Sequence, residues 1–338
     1  PPMTPPSIPD QEGIQRAFAS FSDAVLEAII APSWSTIGFA VRKRLEGWDA
    51  DPMPRLDGRV VVLTGFTSGI GLAAATRLGE LGATLHLVGR NPDRVDATAS
   101  TLRSTGSIVH TSIADMGDLE AVRSIADEMV AQHASIDVLV HNAGALSPTY
   151  TLSPQGIEMT IASQVLGPFL LTSLLLPSLE AGATAGRVIT VASGGMYSER
   201  LDVDRLVMTP DDYNGVRAYA RAKRAQVELN AEWTRRCRTG VLFNAMHPGW
   251  VDTPGVEHSL PRFHTVTKPV LRSADAGADT LVWLAAADEE RIGVGGGFWL
   301  DRHRRSITKF PGTSAPAGER ARLWNWCEEN SGSGPQPT

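Results

Sequence analysis

The sequence predicts an α/β fold in which a doubly wound, parallel sheet of about seven strands carries helices on both faces, with a helical arm before it and an extension after it. Three observations carry this expectation. Short β-branched runs alternate with helical stretches between Arg59 and Leu300, and such alternation builds a parallel sheet through crossover helices. The first run ends in a glycine-rich turn that opens a helical stretch. The chain has 338 residues, 42% hydrophobic and 20% charged, enough to bury a core and too apolar for a disordered chain.

Taken in order, Pro1 to Asp10 is Pro-rich and lacks the basic and apolar regions of a secretory signal. Ile14, Phe18, Phe21, Val25 and Ile29 then recur at helical spacing, which predicts an amphipathic helix ended by Pro32. A second stripe, Trp34, Ile37, Val41, Leu45 and Trp48, follows, and Arg42, Lys43 and Arg44 are expected to point mostly away from it. Two readings of this arm stay open: packing on the body or a second subunit, and an interfacial membrane helix, since basic residues beside Trp and Phe suit a headgroup boundary. The strands are expected at 59–64, 84–88, 108–112, 136–141, 187–192, 241–246 and 297–300, with helices between them such as 69–81 and 116–133.

Length alone allows two domains, but the order of the elements reduces this to one. The expected division is an arm over 1–55, a single α/β domain over 56–301 with substrate loops at 194–216 and 249–272, and an extension over 302–338 that ends in a mobile tail from Ser331. Four of the eight tryptophans, Trp34, Trp48, Trp324 and Trp326, lie in the two ends. They are expected to dock on the body, a partner subunit or a membrane.

Composition excludes several classes. Lys plus Arg is 31 against 37 for Asp plus Glu, a net charge of −6, which argues against a nucleic-acid binder. The two cysteines, Cys237 and Cys327, cannot build a disulfide framework, and no Cys/His spacing predicts a metal site. No run approaches the ~20 uninterrupted apolar residues of a membrane span. A cytoplasmic, reducing location is expected, with peripheral membrane attachment through the arm as a variant.

The turn after the first strand is Thr64-Gly65-Phe66-Thr67-Ser68-Gly69-Ile70-Gly71. Glycines there let the backbone approach a pyrophosphate, and a helix N-terminus supplies free N–H donors with partial positive charge. The TGxxxGxG spacing resembles the classical short-chain dehydrogenase/reductase superfamily, and three further landmarks fall in that family's order: Asn142-Ala143-Gly144, Ser193, and Tyr219-x-x-x-Lys223. The resemblance implies a Rossmann-type sheet that binds a nicotinamide dinucleotide. The second strand ends at Gly89 and Arg90 follows. An NAD enzyme usually places a carboxylate at that strand end, whereas a guanidinium suits the 2′-phosphate of NADP; NADP(H) is therefore expected over NAD(H). By resemblance Asp115 lies near the adenine and residues 142–144 beside the adenine ribose. Read alone, Asp115 is a helix cap for 116–133.

Of the four tyrosines only Tyr219 has a lysine four residues on, and positions i and i+4 share a helix face. Lys223 together with a nicotinamide cation is expected to lower the phenol pKa and fit Tyr219 for acid/base work near neutral pH. Ser193 donates a hydrogen bond to the substrate oxygen. The resemblance places Gln164 where the family carries a catalytic asparagine, which keeps an amide but lengthens it by one methylene. Ser193 and Tyr219 are further apart than in the family, so an insertion after Gly194 is expected to loop out near the site. In His247-Pro248-Gly249-Trp250-Val251-Asp252-Thr253, Pro248, Gly249, Val251 and Thr253 match residues that border the nicotinamide, and Trp250 is placed to face substrate. HPGWVDTPGV and the ending Phe298-Trp299-Leu300-Asp301-Arg302 resemble the branch of dehydrogenase/reductase family member 12.

The sequence thus predicts an NADP(H)-dependent oxidoreductase that interconverts a carbonyl and a secondary alcohol. Trp250, Val256, Leu260, Phe263, Val266 and Val270 suggest a lipophilic substrate, or equally a packed lid. A non-catalytic NADP-binding regulator or scaffold is the alternative, and the family makes a homo-oligomer the default.

Overall fold

Seven parallel strands run where the β-branched runs lie: β1 (Val60–Thr64), β2 (Thr84–Gly89), β3 (Ile108–Ile113), β4 (Val138–His141), β5 (Arg187–Val191), β6 (Leu242–Met246) and β7 (Gly297–Leu300). An eighth, β8 (His303–Arg304), pairs antiparallel with β7, so the sheet exceeds the expected seven. It was not legible because two residues are too short for a period-2 pattern. The order is β3-β2-β1-β4-β5-β6-β7-β8. The reversal beside β1 opens a crevice at the carboxyl ends of β1 and β4, the place where doubly wound sheets bind ligands. The computed structural model describes residues 11–333. Pro1 to Asp10 and residues 334–338 lie outside the described residues, as do the side chains of Ile14 and Phe18.

Helices α1 (Gln11–Ala28), α2 (Ile30–Trp34) and α3 (Thr36–Leu45) form the arm. Within the sheet region follow α4 (Gly69–Glu80), α5 (Pro92–Ser104), α6 (Leu119–Gln132), α7 (Met159–Ile161), α8 (Gly167–Glu180), α9 (Gly215–Arg236), α10 (Pro254–Ser259), α11 (Pro261–Thr267), α12 (Ala274–Ala286) and α13 (Glu289–Ile292); α14 (Glu319–Ser331) closes the chain. A π-helical turn over Ala162–Leu166 joins α7 to α8. Met159–Glu180 is apolar enough to span a membrane by length and composition, with a mean hydropathy of 1.6, but 72% of that stretch is buried inside the protein, as in a core helix.

Alternation along β1 shows how the two faces fill. Val61 and Leu63 join Ala74, Leu78, Leu281 and Trp283 in one core under α4 and α12. Val62 turns the other way, into a core with Val122, Phe169 and Leu229 from α6, α8 and α9. Trp324 of α14 enters this second core edge-on to Trp233 at 4.5 Å and to Phe169 at 4.9 Å, so the extension is docked as expected. Ser331, read as the start of a mobile tail, is instead buried at the end of α14, where its carbonyl accepts from Arg123.

The arm docks differently from its hydrophobic pattern. Trp34 and Trp48 are buried as expected, but Phe21, Val25, Ile29 and Ile37 are 68%, 50%, 58% and 50% exposed. Polar groups hold the arm instead: Asp23 bonds both Arg42 and Arg305, and Glu27 pairs with Lys309. Arg42, expected to point outward, is 1% exposed because Asp301 and the Ser33 carbonyl wait for it inside. The helix break falls at Ile29, and Pro32 lies inside α2, where a proline in the first turn has no bond to lose.

The insertion at 194–216 does not loop out. Met196, Tyr197, Leu201, Leu206 and Met208 are buried, Arg224 of α9 donates to the Glu199 carbonyl at 2.9 Å, and Glu319 of α14 accepts from the Val203 amide at 2.9 Å. The extra residues therefore form the bed for the C-terminal extension.

Candidate active site

The glycine turn leaves β1 through Gly65, whose φ of +75° favours glycine and where a Cβ would come within 2.7 Å of the Ala143 backbone. Thr64 Oγ1 accepts from the Asn142 and Ala143 amides at 3.1 and 3.0 Å. Asn142 Nδ2 returns two bonds, to the Thr64 and Gly65 carbonyls at 3.0 and 2.8 Å. Asn142 thus ties the turn to the end of β4. Ser68 caps α4 by position but makes no side-chain cap bond, so the N–H groups at Gly69, Ile70 and Gly71 remain uncapped at a positive helix end. Those donors and a backbone too close for side chains fit a dinucleotide pyrophosphate.

Thr253 comes over this turn from the opposite side, since a Cβ on Gly69 would stand 3.1 Å from its methyl group. Gly249 has a φ of +77°, which lets the loop from Pro248 bend. Val251 is 3% exposed and pairs by a bridge with Arg272, so it anchors the loop while Trp250 stays half-buried, edge-on to Phe263 at 5.4 Å.

At the end of β2 the exposed Arg90 lies 4.0 Å from Asp115. Asp115 does not cap α6. Its Oδ1 accepts from the Gly117 amide at 2.9 Å, and Asp118 makes the cap by accepting from Glu120. Arg94 in the first turn of α5 was missed by sequence reasoning. Its Nη2 reaches the Thr67 carbonyl at 3.3 Å, which puts a second guanidinium beside the glycine turn. A basic residue four positions after Arg90 was the available signal.

Helix α9 delivers Tyr219 and Lys223 to the ends of β5 and β4. Lys223 is 2% exposed, its Nζ donates to the Val191 carbonyl at 2.9 Å and sits 5.3 Å from the Tyr219 ring centroid. Ser193, two residues past Val191, stands beside the Tyr219 phenol, and its Oγ accepts from the Gly195 amide at 3.2 Å. Burial raises the Tyr219 pKa, and the neighbouring Ser193 opposes that rise in part. Burial lowers the lysine itself to about 7, so Lys223 by itself does not pull the phenol down in the coenzyme-free protein.

Gln164 lies in the π turn, 1% exposed. Its Nε2 donates to the Ala145 carbonyl at 2.7 Å, and its backbone carbonyl accepts from Gln226 Nε2 at 2.6 Å. Oε1 has no hydrogen-bond partner. A Cβ on Gly144 would meet Gln164 Oε1 at 3.0 Å and Lys223 Nζ at 3.2 Å, so the amide oxygen and the ammonium flank the same space. Glycine at 144 keeps that space open. Ser193, Tyr219, Lys223 and Gln164 are thereby brought together beside the two loops. Among the described residues no cluster of His, Cys, Asp and Glu could hold a metal ion.

Comparison with known proteins identifies the family. A family model described as short chain dehydrogenase matches residues 59–262. Dehydrogenase/reductase SDR family member 12 of Bos taurus is 37% identical over 81% of this chain and 87% of its own length. A Streptomyces sp. (strain C5) protein named for daunorubicin C-13 ketoreduction is 36% identical over 81% of this chain and 92% of its own. A solved structure described as an NAD(P)-dependent gluconate 5-dehydrogenase from Beutenbergia cavernae, with NADP bound at low occupancy, superposes with a TM-score of 0.59. It is 26% identical and covers 73% of this chain and 96% of its own.

Proposed function

Since the chain belongs to the short-chain dehydrogenase family, we propose that it is an NADP(H)-dependent oxidoreductase that reduces the carbonyl of a hydrophobic ketone or aldehyde to an alcohol. The observation that carries this reading is the convergence of Ser193, Tyr219 and Lys223 at the carboxyl end of β5, next to a glycine turn with uncapped N–H donors. Arg90 and Arg94 would hold the 2′-phosphate, because Arg90 follows the end of β2, the Arg94 guanidinium reaches the glycine turn at Thr67, and no carboxylate ends β2. Asp115, Asn142, Ala143 and Gly144 would line the adenosine side, and Pro248, Gly249, Val251 and Thr253 the nicotinamide side. NADPH, when bound, supplies a hydride to the carbonyl carbon.

The side chains supply the rest. Ser193 donates to the carbonyl oxygen and polarises it. Tyr219, kept protonated by burial, gives its phenolic proton to that oxygen as the C–O group becomes an alcohol. Lys223, with a pKa near neutrality at about 7, is matched to returning a proton, and Gln164 Oε1 can accept from a water beside it. The relative named for ketoreduction and the apolar pair Trp250–Phe263 support a hydrophobic carbonyl substrate.

The test is NADPH oxidation with a panel of aromatic and aliphatic ketones and aldehydes, with NADH in parallel. Turnover with NADPH that is lost in Tyr219→Phe supports the reading. Tight NADPH binding without turnover on any carbonyl or alcohol would favour a regulator or scaffold.

A second reading concerns location. The stripe of Phe21, Val25 and Ile29 faces solvent, an arrangement that supports peripheral attachment of α1 to a lipid surface. Flotation with phosphatidylcholine vesicles, lost in Phe21→Glu/Val25→Glu, tests it.

A further inference from the structure

Trp34 is carried by the arm, far from the catalytic motifs in sequence, yet it stands between the two loops that form the reacting face. On one side its six-membered ring lies against Gly194, the residue after Ser193: a Cβ there would approach Trp34 Cη2 to 2.5 Å. The ring also stacks on Tyr197 of the same turn at 5.9 Å. On the other side it meets His247 at 4.8 Å and Trp250 at 6.2 Å, both edge-on. Its carbonyl accepts from the Trp250 amide at 2.8 Å and from Arg272 Nε at 2.9 Å.

The arm cannot slide away easily, because three buried charged groups fix it. Arg272 bonds the carbonyls of Ser33, Trp34, Ser35 and Pro248. Its backbone pairs with Trp250 and Asp252 of the nicotinamide loop. Asp301 forms ion pairs with both Arg272 and Arg42 from the end of β7. Arm, nicotinamide loop and sheet end thus form one hydrogen-bonded unit, with the indole as its wedge.

We propose that Trp34 is a positioning residue for the reduction: its ring sets the turn that begins at Ser193, and its carbonyl fixes the loop that presents Trp250 to substrate. Ser193 is followed by two glycines, and glycines restrain a backbone poorly, so the turn takes its position from what packs behind it. Without the indole, the turn can retreat and move the Ser193 hydroxyl relative to Tyr219. The inference deepens the reductase reading and rests on it.

The experiment compares Trp34→Ala and Trp34→Phe with Trp48→Ala. Trp48 is equally buried in the arm, but it packs on Phe39 and under Arg302, away from both loops. Misplacement by ~1 Å can cost on the order of 100-fold in rate, so kcat should fall about tenfold or more in Trp34→Ala and recover largely in Trp34→Phe. The NADPH Kd should stay within about threefold. Trp48→Ala should lose thermal stability to a similar degree and keep kcat. Hydrogen exchange gives a readout that needs no turnover: amides of 194–198 and 247–252 should exchange faster in Trp34→Ala and not in Trp48→Ala. Equal kcat and equal loop exchange in the two alanine variants would overturn the proposal. Should Trp34→Ala fail to fold, Trp34→Leu takes its place under the same criteria. If the native enzyme turns over no substrate, the reductase reading fails, while the exchange comparison still decides whether Trp34 holds the loops.

Discussion

Arg272 and Asp301 meet through two hydrogen bonds, at 2.5 and 2.9 Å, with both side chains 1% exposed. Arg42 reaches the same carboxylate from the arm at 2.6 Å. Asp23 gives Arg42 a second carboxylate, and carbonyls of Ser33, Trp34 and Ser35 accept from the remaining guanidinium N–H groups. Removing one member of a buried pair is far more damaging than the pair is stabilising, because the remaining charge loses its compensation. Asp301→Asn should therefore destabilise the fold by about 3–5 kcal/mol. Urea denaturation followed by tryptophan fluorescence checks this.

The coenzyme preference should follow Arg90 and Arg94. A charge-assisted hydrogen bond contributes about 1.5–3 kcal/mol, so Arg90→Ala should weaken NADPH by roughly 10- to 150-fold and leave NADH almost unchanged. Arg94→Ala should act in the same direction. Titration of each variant with both coenzymes by isothermal calorimetry measures the ratio.

The amide at position 164 supplies a third expectation. Gln164→Asn keeps a carbonyl oxygen near Lys223, whereas Gln164→Leu removes it together with the bond to Ala145. Proton-transfer catalysis is typically worth about 10²–10⁴ in rate, so Gln164→Leu should lower kcat by about tenfold or more and Gln164→Asn by less. Steady-state kinetics with saturating NADPH distinguishes them.

Acid should destabilise the protein before its carboxylates titrate. Burial lowers His86 to about 4 and His141 to about 3, and His133 and His247 shift down for the same reason. Neutral in the folded chain, they take up protons at the ordinary pKa of about 6.5 once unfolded. Below that pH the unfolded state binds more protons, and stability falls as pH drops. Glu232 is held at about 2 by Arg235 and Arg236, and Asp23 is also held low, so paired carboxylates act only at lower pH. The unfolding free energy from urea titrations should fall from pH 7 to pH 5, by at most about 1.4 kcal/mol per pH unit for each histidine, and His141→Asn should flatten the slope.

What could be read in advance was local. The glycine turn and the Tyr219–Lys223 pair are set by short spacings, and a strand followed by a helix is enough to place them. Arg42 could not be read because its partner Asp301 lies 259 residues away, and a basic residue beside an apolar stripe normally faces water. Docking of Trp34 was expected from its place in the arm, but its partners at the ends of β5 and β6 were not, because they too come together only in three dimensions. The insertion after Ser193 looked free because its partner, α14, is joined to it only in three dimensions. Lys223 was recognised from spacing, while its lowered pKa depends on burial that only the packed sheet supplies.

In the proposed reaction hydride and proton reach one carbonyl group, the proton from Tyr219. Incubating the enzyme with NADPH deuterated at the transferable C4 position and a ketone substrate, then locating the label by mass spectrometry, follows both. Deuterium is expected on the carbinol carbon with the native enzyme, with a large loss of labelled alcohol in Tyr219→Phe. Product without label at that carbon, or equal labelling by the two proteins, would contradict it.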